Sequence, residues 1–348
     1  MIIKANIEDN KIIVKKPKDV GRLYNKSNMG RSLSGGFLEL NLIESVFLLD
    51  EEKIKIFQNR KEVGFEKLIK IASDKIKDFE IKYMVFKDLR KRGQMVNICK
   101  KDSMFDLYQC NTKGDEEKFF VCVFSERDFF EIDKTHILLE NISEKSFLWI
   151  AIVDDEGDIT YYKVSNKNLN GNIKSYDFKK INGLFLDDRV IVFNEEKIKD
   201  LFGREFFGKP FGPALQLSFV EVLYLLNKKS ISLIDKNENM VSKNKFLKIT
   251  KIDQPDILSH FKVFKDLKEK GLVIKTGFKF GTHFRVYTSH PDNIHAEYLV
   301  HVVEKNFKSV WAEFSRAVRL AHSVNKEIIF TRVLKDDIQY ICFGRLRP

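Results

Sequence analysis

The pentapeptide VFKDL occurs twice, at Val85–Leu89 and again at Val263–Leu267, an offset of 178 residues. A letter-for-letter repeat constrains a chain more than its composition does, because two like segments call for two like units. The match extends on both sides. VFKDLRKRG ends at Gly93 and VFKDLKEKG at Gly271. Upstream, Leu38, Leu40, Ile43, Glu44, Leu48 and Leu49 are mirrored by Leu215, Leu217, Val220, Glu221, Leu225 and Leu226. Downstream, DLY ending at Tyr108 matches RVY ending at Tyr287, and FFVCV matches YLVHV. The offsets drift by only a few residues, which is the size of small loop changes. The chain reads as a tandem duplication, residues 1–164 and 180–348. The stretch 165–179 between them is rich in Asn, Lys and Ser, has little apolar periodicity, and reads as a linker.

Each copy gives the same order of elements. Basic segments over 16–26 and 195–204 space their apolar residues as a helix does, and amphipathic helices are expected over 39–49 and 216–226. A third helix holds VFKDL and stops at Gly93 or Gly271, where a C-cap glycine belongs. The pattern then turns to strands over 95–98 and 273–275, 105–108 and 284–287, 119–124 and 298–303. A helix over 310–323 follows in the second copy. Paired strands close each copy, 147–153 with 159–164 and 328–334 with 338–343. Helices first, with a helix-flanked mixed sheet after them, make an α/β (α+β) unit. The expected division is an N-terminal helical or mixed subdomain over 1–80 and 180–258, and a mixed-sheet subdomain over 81–164 and 259–348.

Lys and Arg outnumber Asp and Glu by 61 to 50, a surplus of +11 that favours an anionic partner, nucleic acid or an acidic membrane face. The opening MIIKANIEDNKIIV has no signal-peptide architecture, and LWIAIV and VLYLL are too short to span a membrane. A soluble, intracellular, cytoplasmic protein is expected. Four cysteines without a CxxC pair argue against a disulfide scaffold or a zinc ribbon; Cys122 and Cys342 fall in apolar strand patterns as core residues, and Cys99 and Cys110 are irregularly spaced.

The duplication permits an internal comparison. Of seven histidines, only His136 lies in the first copy; His260, His283, His290, His295, His301 and His322 lie in the second. Imidazole suits proton transfer near neutrality, so chemistry confined to the second copy is one reading, and packed or surface histidines are the other. Counting from the aligned tyrosines, His295 falls opposite Glu116, and Lys326 in HSVNKEIIF falls opposite Lys145 in ISEKSFLWI. Tyr287 ends a strand, His295 starts the next and Lys326 heads a later one. Strand ends can bring such separate segments to one place.

The run FKFGTHFRVYTSHPDNIHAEYLVHVV, followed by AHSVNKEIIF, resembles the catalytic region of archaeal tRNA-splicing endonucleases, the tRNA-intron lyases; GKPFGPALQLSFVEVLYLL resembles that family's N-terminal region. The two-copy layout is similar to the fused type, in which one chain holds a degenerate and a catalytic repeat and two chains form a homodimer. The resemblance covers nearly the whole chain, more strongly in the second copy. It implies Tyr287, His295 and Lys326 as a catalytic trio, precursor tRNA as substrate and no cofactor. The loop Thr288–Ile294 is slightly shorter than the family's pattern, which leaves the role of His290 open. Such a trio suits cleavage of RNA by its own 2′-OH. A base takes the 2′ proton, an acid protonates the 5′-oxygen, and a cation sits beside the crowded phosphate. His295 fits the acid, Tyr287 the base and Lys326 the cation; a phenol ionises near pH 10 unless a neighbouring cation favours its anion.

The resemblance further implies arginines that clamp a bulged base, for which Arg319 and Arg345 are the candidates, with Arg316 and Arg285 as rivals and ordinary solvated arginines as the alternative. It also implies an acidic docking loop. Asp154, Asp155, Glu156 and Asp158 flank Gly157 in the first copy, where a plain solvated hairpin turn is the alternative reading. The second copy has Lys335, Asp336 and Asp337 there. The apolar strands near each copy's end, such as 338–343, could pair across a dimer. Two rival functions remain. One is a non-catalytic RNA-binding or assembly protein; the other is a metal-dependent nuclease using His290, Asp292 and His295. Gly277 and Gly281 make no dinucleotide fingerprint, and Lys275 and Lys279 beside them read as phosphate-facing charge.

Overall fold

The computed structural model of the protein describes residues 2–9, 11–98, 107–111, 118–142, 146–177, 180–335 and 337–347. The chain divides into two compact units, Met1–Val164 with Lys308–Phe314 and Arg345–Pro348, and Ser165–Phe307 with Ser315–Gly344. The fold is mixed α/β and duplicated, as the sequence implies.

Each N-terminal half is a six-stranded sheet with the same strand order. In the first unit the order is Arg31–Ser32, Leu38–Leu40, Lys11–Val14, Ile3–Glu8, Ile54–Gln58 and Lys61–Val63; in the second it is Lys209–Phe211, Ala214–Leu217, Arg189–Val192, Ile181–Leu186, Ile231–Ile234 and Met240–Val241. These strands were not legible as such, being short and interrupted by turns. The helices expected over 39–49 and 216–226 begin later, at Leu42–Asp50 and Phe219–Asn227, because Leu38–Leu40 and Ala214–Leu217 are strands. Capping boxes set both starts. Asn41 and Ser218 are the N-caps, and Glu44 and Glu221 three residues on accept the N-cap backbone N–H at 3.0 and 2.8 Å. Helices Phe65–Lys75 and Lys243–Asp253 are additional to those expected. The helix expected over 16–26 is instead a short α turn, Pro17–Gly21, running into a π turn, Arg22–Lys26.

The C-terminal halves are also alike. Strands Met95–Ile98, Leu107–Asn111, Lys118–Ser125, Ser146–Val153 and Ile159–Asn166 lie in that order across the first; Val273–Thr276, Phe284–Tyr287, Tyr298–Val303, Glu327–Val333 and Ile338–Leu346 follow the same order across the second. In each, the third and fourth strands run parallel and the other neighbours antiparallel. The VFKDL helices, Phe79–Lys91 and Ile257–Glu269, bury Val85, Phe86 and Leu89 or Val263, Phe264 and Leu267. Gly93 and Gly271 follow with φ of 86° and 75°, as the C-cap reading requires. The Asp of each VFKDL accepts a tyrosine hydroxyl, Tyr161 to Asp88 at 2.8 Å and Tyr340 to Asp266 at 2.6 Å. Cys110, Cys122 and Cys342 are buried.

The linker is not a loose tether. Within the second unit, Gly171 N–H donates to Lys270 O at 2.9 Å, Ile173 N–H to Gly271 O at 2.9 Å and Asn172 N–H to Thr288 O at 3.0 Å. A Cβ on Gly171 would stand 2.2 Å from Gly271 O, so only glycine permits this approach. Leu169 is buried in the core of the second unit, the cluster that also holds Leu223, Phe264 and Leu267. Among the described residues no helix is long and apolar enough to cross a membrane.

Candidate active site

Three adjacent strands of the second unit present one common end. Phe284–Tyr287 runs antiparallel to Tyr298–Val303, which runs parallel to Glu327–Val333. The last residue of the first strand therefore lies level with the residues just before the other two. Glu297 N–H donates to Val286 O at 3.1 Å, and Glu327 N–H to Glu297 O at 3.1 Å, which locks that level. Tyr287, His295 and Lys326 all belong to this end.

Tyr287 is 8% exposed and packs with Phe206, Val273, Ala296, Ile173 and Ile294. The Arg285 guanidinium lies over its ring, 5.9 Å from the centroid, with Nε buried and without a hydrogen-bond partner among the described residues. Arg285, a rival for clamping a base, is thus a cation beside Tyr287. Lys326 is half-buried, and its Nζ donates to Ala296 O at 2.8 Å. It emerges from the helix Trp311–Ser323 through a tight C-terminal turn in which Asn325 is left-handed (φ 54°) and Lys326 N–H donates to Ala321 O at 3.0 Å. Its ammonium also stands 5.9 Å from the Phe280 ring. Ala296 therefore shares a cluster with Tyr287 and accepts the Lys326 ammonium, and the exposed His295 is its chain neighbour. The buried Phe206 and the partly buried Ile173 had no place in the sequence-based reading.

The loop between Tyr287 and His295 is held internally. Thr288 Oγ1 donates to Glu297 Oε1 at 2.8 Å, Asp292 N–H donates to His290 Nδ1 at 3.3 Å, and the His290 ring meets Phe206 edge-on at 4.5 Å. Among the described residues no three His, Cys, Asp or Glu are grouped to hold a metal ion, so His290, Asp292 and His295 do not form the metal constellation. Lys275 differs from its reading as phosphate-facing charge. Its Nζ is turned inward onto the carbonyls of Phe206 and Gly208, and burial draws its pKa below the usual lysine value. Lys279 is exposed.

The other candidates are scattered. Arg319 is exposed on the helix Trp311–Ser323, as is Arg316. Arg345 belongs to the first unit, where it lines a cleft of about 240 Å³ with Arg92, Arg347 and Tyr161. In the acidic loop, Asp154 shapes its own turn, Oδ1 accepting from Glu156 N–H at 3.1 Å and Asp158 N–H at 2.9 Å, while Asp155 pairs with Arg127 at 2.6 Å. Glu156 and Asp158 are exposed.

Strand register corrects the pairing of the copies. Val96 pairs with Cys110 as Ile274 pairs with Val286, so the counterpart of Tyr287 is Asn111 and that of Tyr108 is Phe284. Tyr108 and Phe86 are 6.1 Å apart, as are Phe284 and Phe264. The three-residue difference is odd, so it sends the side chain to the opposite face of the sheet. Tyr108 accordingly lies in the main core with its hydroxyl donated to Lys82 O at 2.8 Å. Likewise Phe119 pairs with Phe147 as Tyr298 pairs with Glu327, which sets Ser146 level with Lys326. Glu116 and Lys145 lie outside the described residues.

Among the described residues, the second repeat of this duplicated mixed α/β chain has Tyr287 and Lys326 at one sheet end where register gives the first Asn111 and Ser146. Known proteins narrow the class of such a chain. The catalytic C-terminal domain of tRNA intron endonucleases matches residues 79–161 and 257–340, and the N-terminal domain of the same enzymes matches 3–69 and 181–247. A tRNA-splicing endonuclease of Methanococcoides burtonii is 38% identical over 99% of this chain and 100% of its own, and one of Methanosarcina mazei 33% identical over 99% of each. One of Methanothermobacter thermautotrophicus is 33% identical over 47% of this chain but 96% of its own, a single repeat's worth. The chain belongs to the tRNA intron endonuclease family, in a two-repeat form, and its activity class is that of an endonuclease of tRNA splicing.

Proposed function

We propose that the protein excises introns from precursor tRNA by cutting the two bulges of a bulge–helix–bulge fold, using the substrate's own 2′-OH as nucleophile. The observation that carries this reading is the common strand end of the second repeat, where Tyr287 and Lys326 meet Ala296 beside His295. In the proposed step the Tyr287 oxygen takes the 2′ proton, and the 2′-oxygen attacks phosphorus. The bond from phosphorus to the 5′-oxygen breaks, and His295 gives that oxygen its proton. Lys326 supplies positive charge to the non-bridging oxygens, for which its Nζ must leave Ala296 O or share it. Products are a 2′,3′-cyclic phosphate and a 5′-hydroxyl, and the residues need no metal for any part of this.

Arg319 and Arg345 are assigned to splayed bases, whose faces suit a guanidinium. The chain acts as a cytoplasmic homodimer held by the loop Asp154, Asp155, Glu156 and Asp158 and by its C-terminal strands, giving two sites for two cuts. The subdomain division 1–80, 81–164, 180–258 and 259–348, with 165–179 between, belongs to the same reading. A single-turnover assay on precursor tRNA tests it: His295→Ala should abolish cleavage while RNA binding stays within a few fold. Near-wild-type turnover by that variant contradicts the assignment.

A further inference from the structure

The two repeats build one turn twice, with an exchange at its centre. In the first repeat, Asn28 and Met29 close the turn by donating to Tyr24 O at 3.1 Å and Leu23 O at 3.0 Å; in the second, Phe206 and Phe207 donate to Phe202 O at 3.2 Å and Leu201 O at 3.0 Å. Gly30 N–H then donates to Glu44 Oε1 at 2.9 Å, and Gly208 N–H to Glu221 Oε1 at 2.7 Å. A cation from the VFKDL helix holds the carbonyl at the start of each turn, Arg90 on Ser27 O at 2.7 Å and Lys268 on Glu205 O at 3.1 Å.

At the centre of each turn sits a left-handed, non-glycine residue, Asn28 with φ 49° and Phe206 with φ 61°. Asparagine is among the residues that tolerate this region; for a bulky side chain it is an unfavourable outlier. The first repeat uses the tolerant residue, whose amide donates to Asn97 Oδ1 at 3.2 Å. The second keeps an aromatic there and invests more in holding the backbone. Lys268 forms a buried ion pair with Glu205 at 3.0 Å, and Lys275, at the position of Asn97, donates to Phe206 O and to Gly208 O. Strain retained against a local alternative points to something the side chain does.

What the ring does is visible. Phe206 is 8% exposed and packs against Tyr287, Val273, Ala296, Ile173 and Ile294, and the His290 ring stands edge-on to it. It shares a cluster with the residue before the loop Thr288–Ile294 and with Ile294 and Ala296 on either side of His295, and it meets a histidine within the loop edge-on. We infer that Phe206 is a positioning residue, whose ring fixes the Tyr287 phenol and the path of the loop that delivers His295. The inference rests on the reading of Tyr287 and His295 as base and acid. It also gives His290 a role, as an edge-on packing partner of that ring.

The test is single-turnover cleavage of precursor tRNA by Phe206→Asn, Phe206→Leu and Phe206→Tyr, with melting curves for each. Phe206→Asn installs the first repeat's own residue and relieves the backbone. It should lower kcat by about 10²-fold, the cost of a misplaced reacting group, with KM changed by no more than about three-fold. Phe206→Tyr keeps the ring and should stay within about three-fold of wild type, and the reciprocal Asn28→Phe should not alter kcat. A folded Phe206→Asn with wild-type kcat overturns the inference. Should that variant fail to fold, Phe206→Leu decides. A folded Phe206→Leu with kcat several-fold down and KM unchanged supports the role, and one with wild-type kcat overturns it. Tyr287→Phe, run alongside, separates the layers. If it is inactive while Phe206→Asn is not impaired, the positioning role alone fails; if it cleaves normally, the catalytic reading fails and takes the positioning role with it.

Discussion

The first and second repeats share a backbone frame and differ in what is mounted on it. Both carry the capping-box glutamate that also binds a glycine N–H, and the Tyr-to-Asp bond onto the VFKDL helix. At the common strand end they part. The second repeat has Tyr287 and Lys326 where register gives the first Asn111 and Ser146, and Phe206 where the first has Asn28. The shared glutamates satisfy backbone N–H groups and the shared Tyr–Asp pairs satisfy each other, while these three exchanges lie where chemistry is assigned. Duplication can relax one copy toward what the fold prefers while the other retains residues that the fold merely tolerates.

The largest effect that can break this comparison is at the acid. His295→Ala should lose at least about 10²-fold in cleavage rate, within the usual range for a proton-transfer group, and Glu116→Ala should lose nothing in the chemical step. Comparable losses in both would show that the first repeat is catalytic after all. Next come the tyrosines. Tyr287→Phe should be inactive, whereas Tyr108→Phe should cleave normally and lose only about 1 kcal/mol of stability, from the missing bond to Lys82 O. A catalytic defect in Tyr108→Phe would undo the register argument.

Acid should then separate the units. His260, His283 and His301 stack in the second unit with centroids 4.3 and 4.6 Å apart, and His283 Nδ1 accepts from Val302 N–H at 2.9 Å. Burial, with the neighbouring imidazoles adding to it, draws His283 down to about 3, and burial lowers His260 and His301 too, against the pull of Asp256 on His260. The unfolded chain thus binds more protons. Stability is full above the ordinary histidine value of about 6.5 and falls as pH drops toward the folded one, by on the order of 2 kcal/mol at pH 5 from His283. Melting curves between pH 7.5 and 5 should show this slope in wild type and a flatter one in His283→Gln. The smallest effect concerns assembly. Asp155→Asn, Glu156→Gln and Asp158→Asn together should weaken dimerisation in sedimentation, with Asp154 left alone because it shapes the turn. An unchanged profile would contradict docking through this loop.

Much of this was readable from residues. The VFKDL repeat and its following glycines located the duplication and two helices; the histidine imbalance raised the expectation of chemistry in the second copy, yet three of its six histidines stack on one another. The N-terminal sheets were not readable, because strands such as Lys209–Phe211 and Met240–Val241 are too short to show a period of two. The tyrosine pairing went astray because DLY and RVY match by letter across loops of unequal length, and letters carry no sheet face. Phe206 had a usable signal in the same internal alignment, a phenylalanine opposite Asn28 just before a shared glycine. Its meaning depended on φ and on the ring's neighbours, which only the fold supplies.

The most direct test of the central claim is to incubate wild-type protein with intron-containing precursor tRNA in excess EDTA and to analyse the cut ends. The account predicts defined fragments ending in 2′,3′-cyclic phosphate and 5′-hydroxyl. Cleavage that appears only when a divalent metal is restored, or RNA that is bound and never cut, would contradict it.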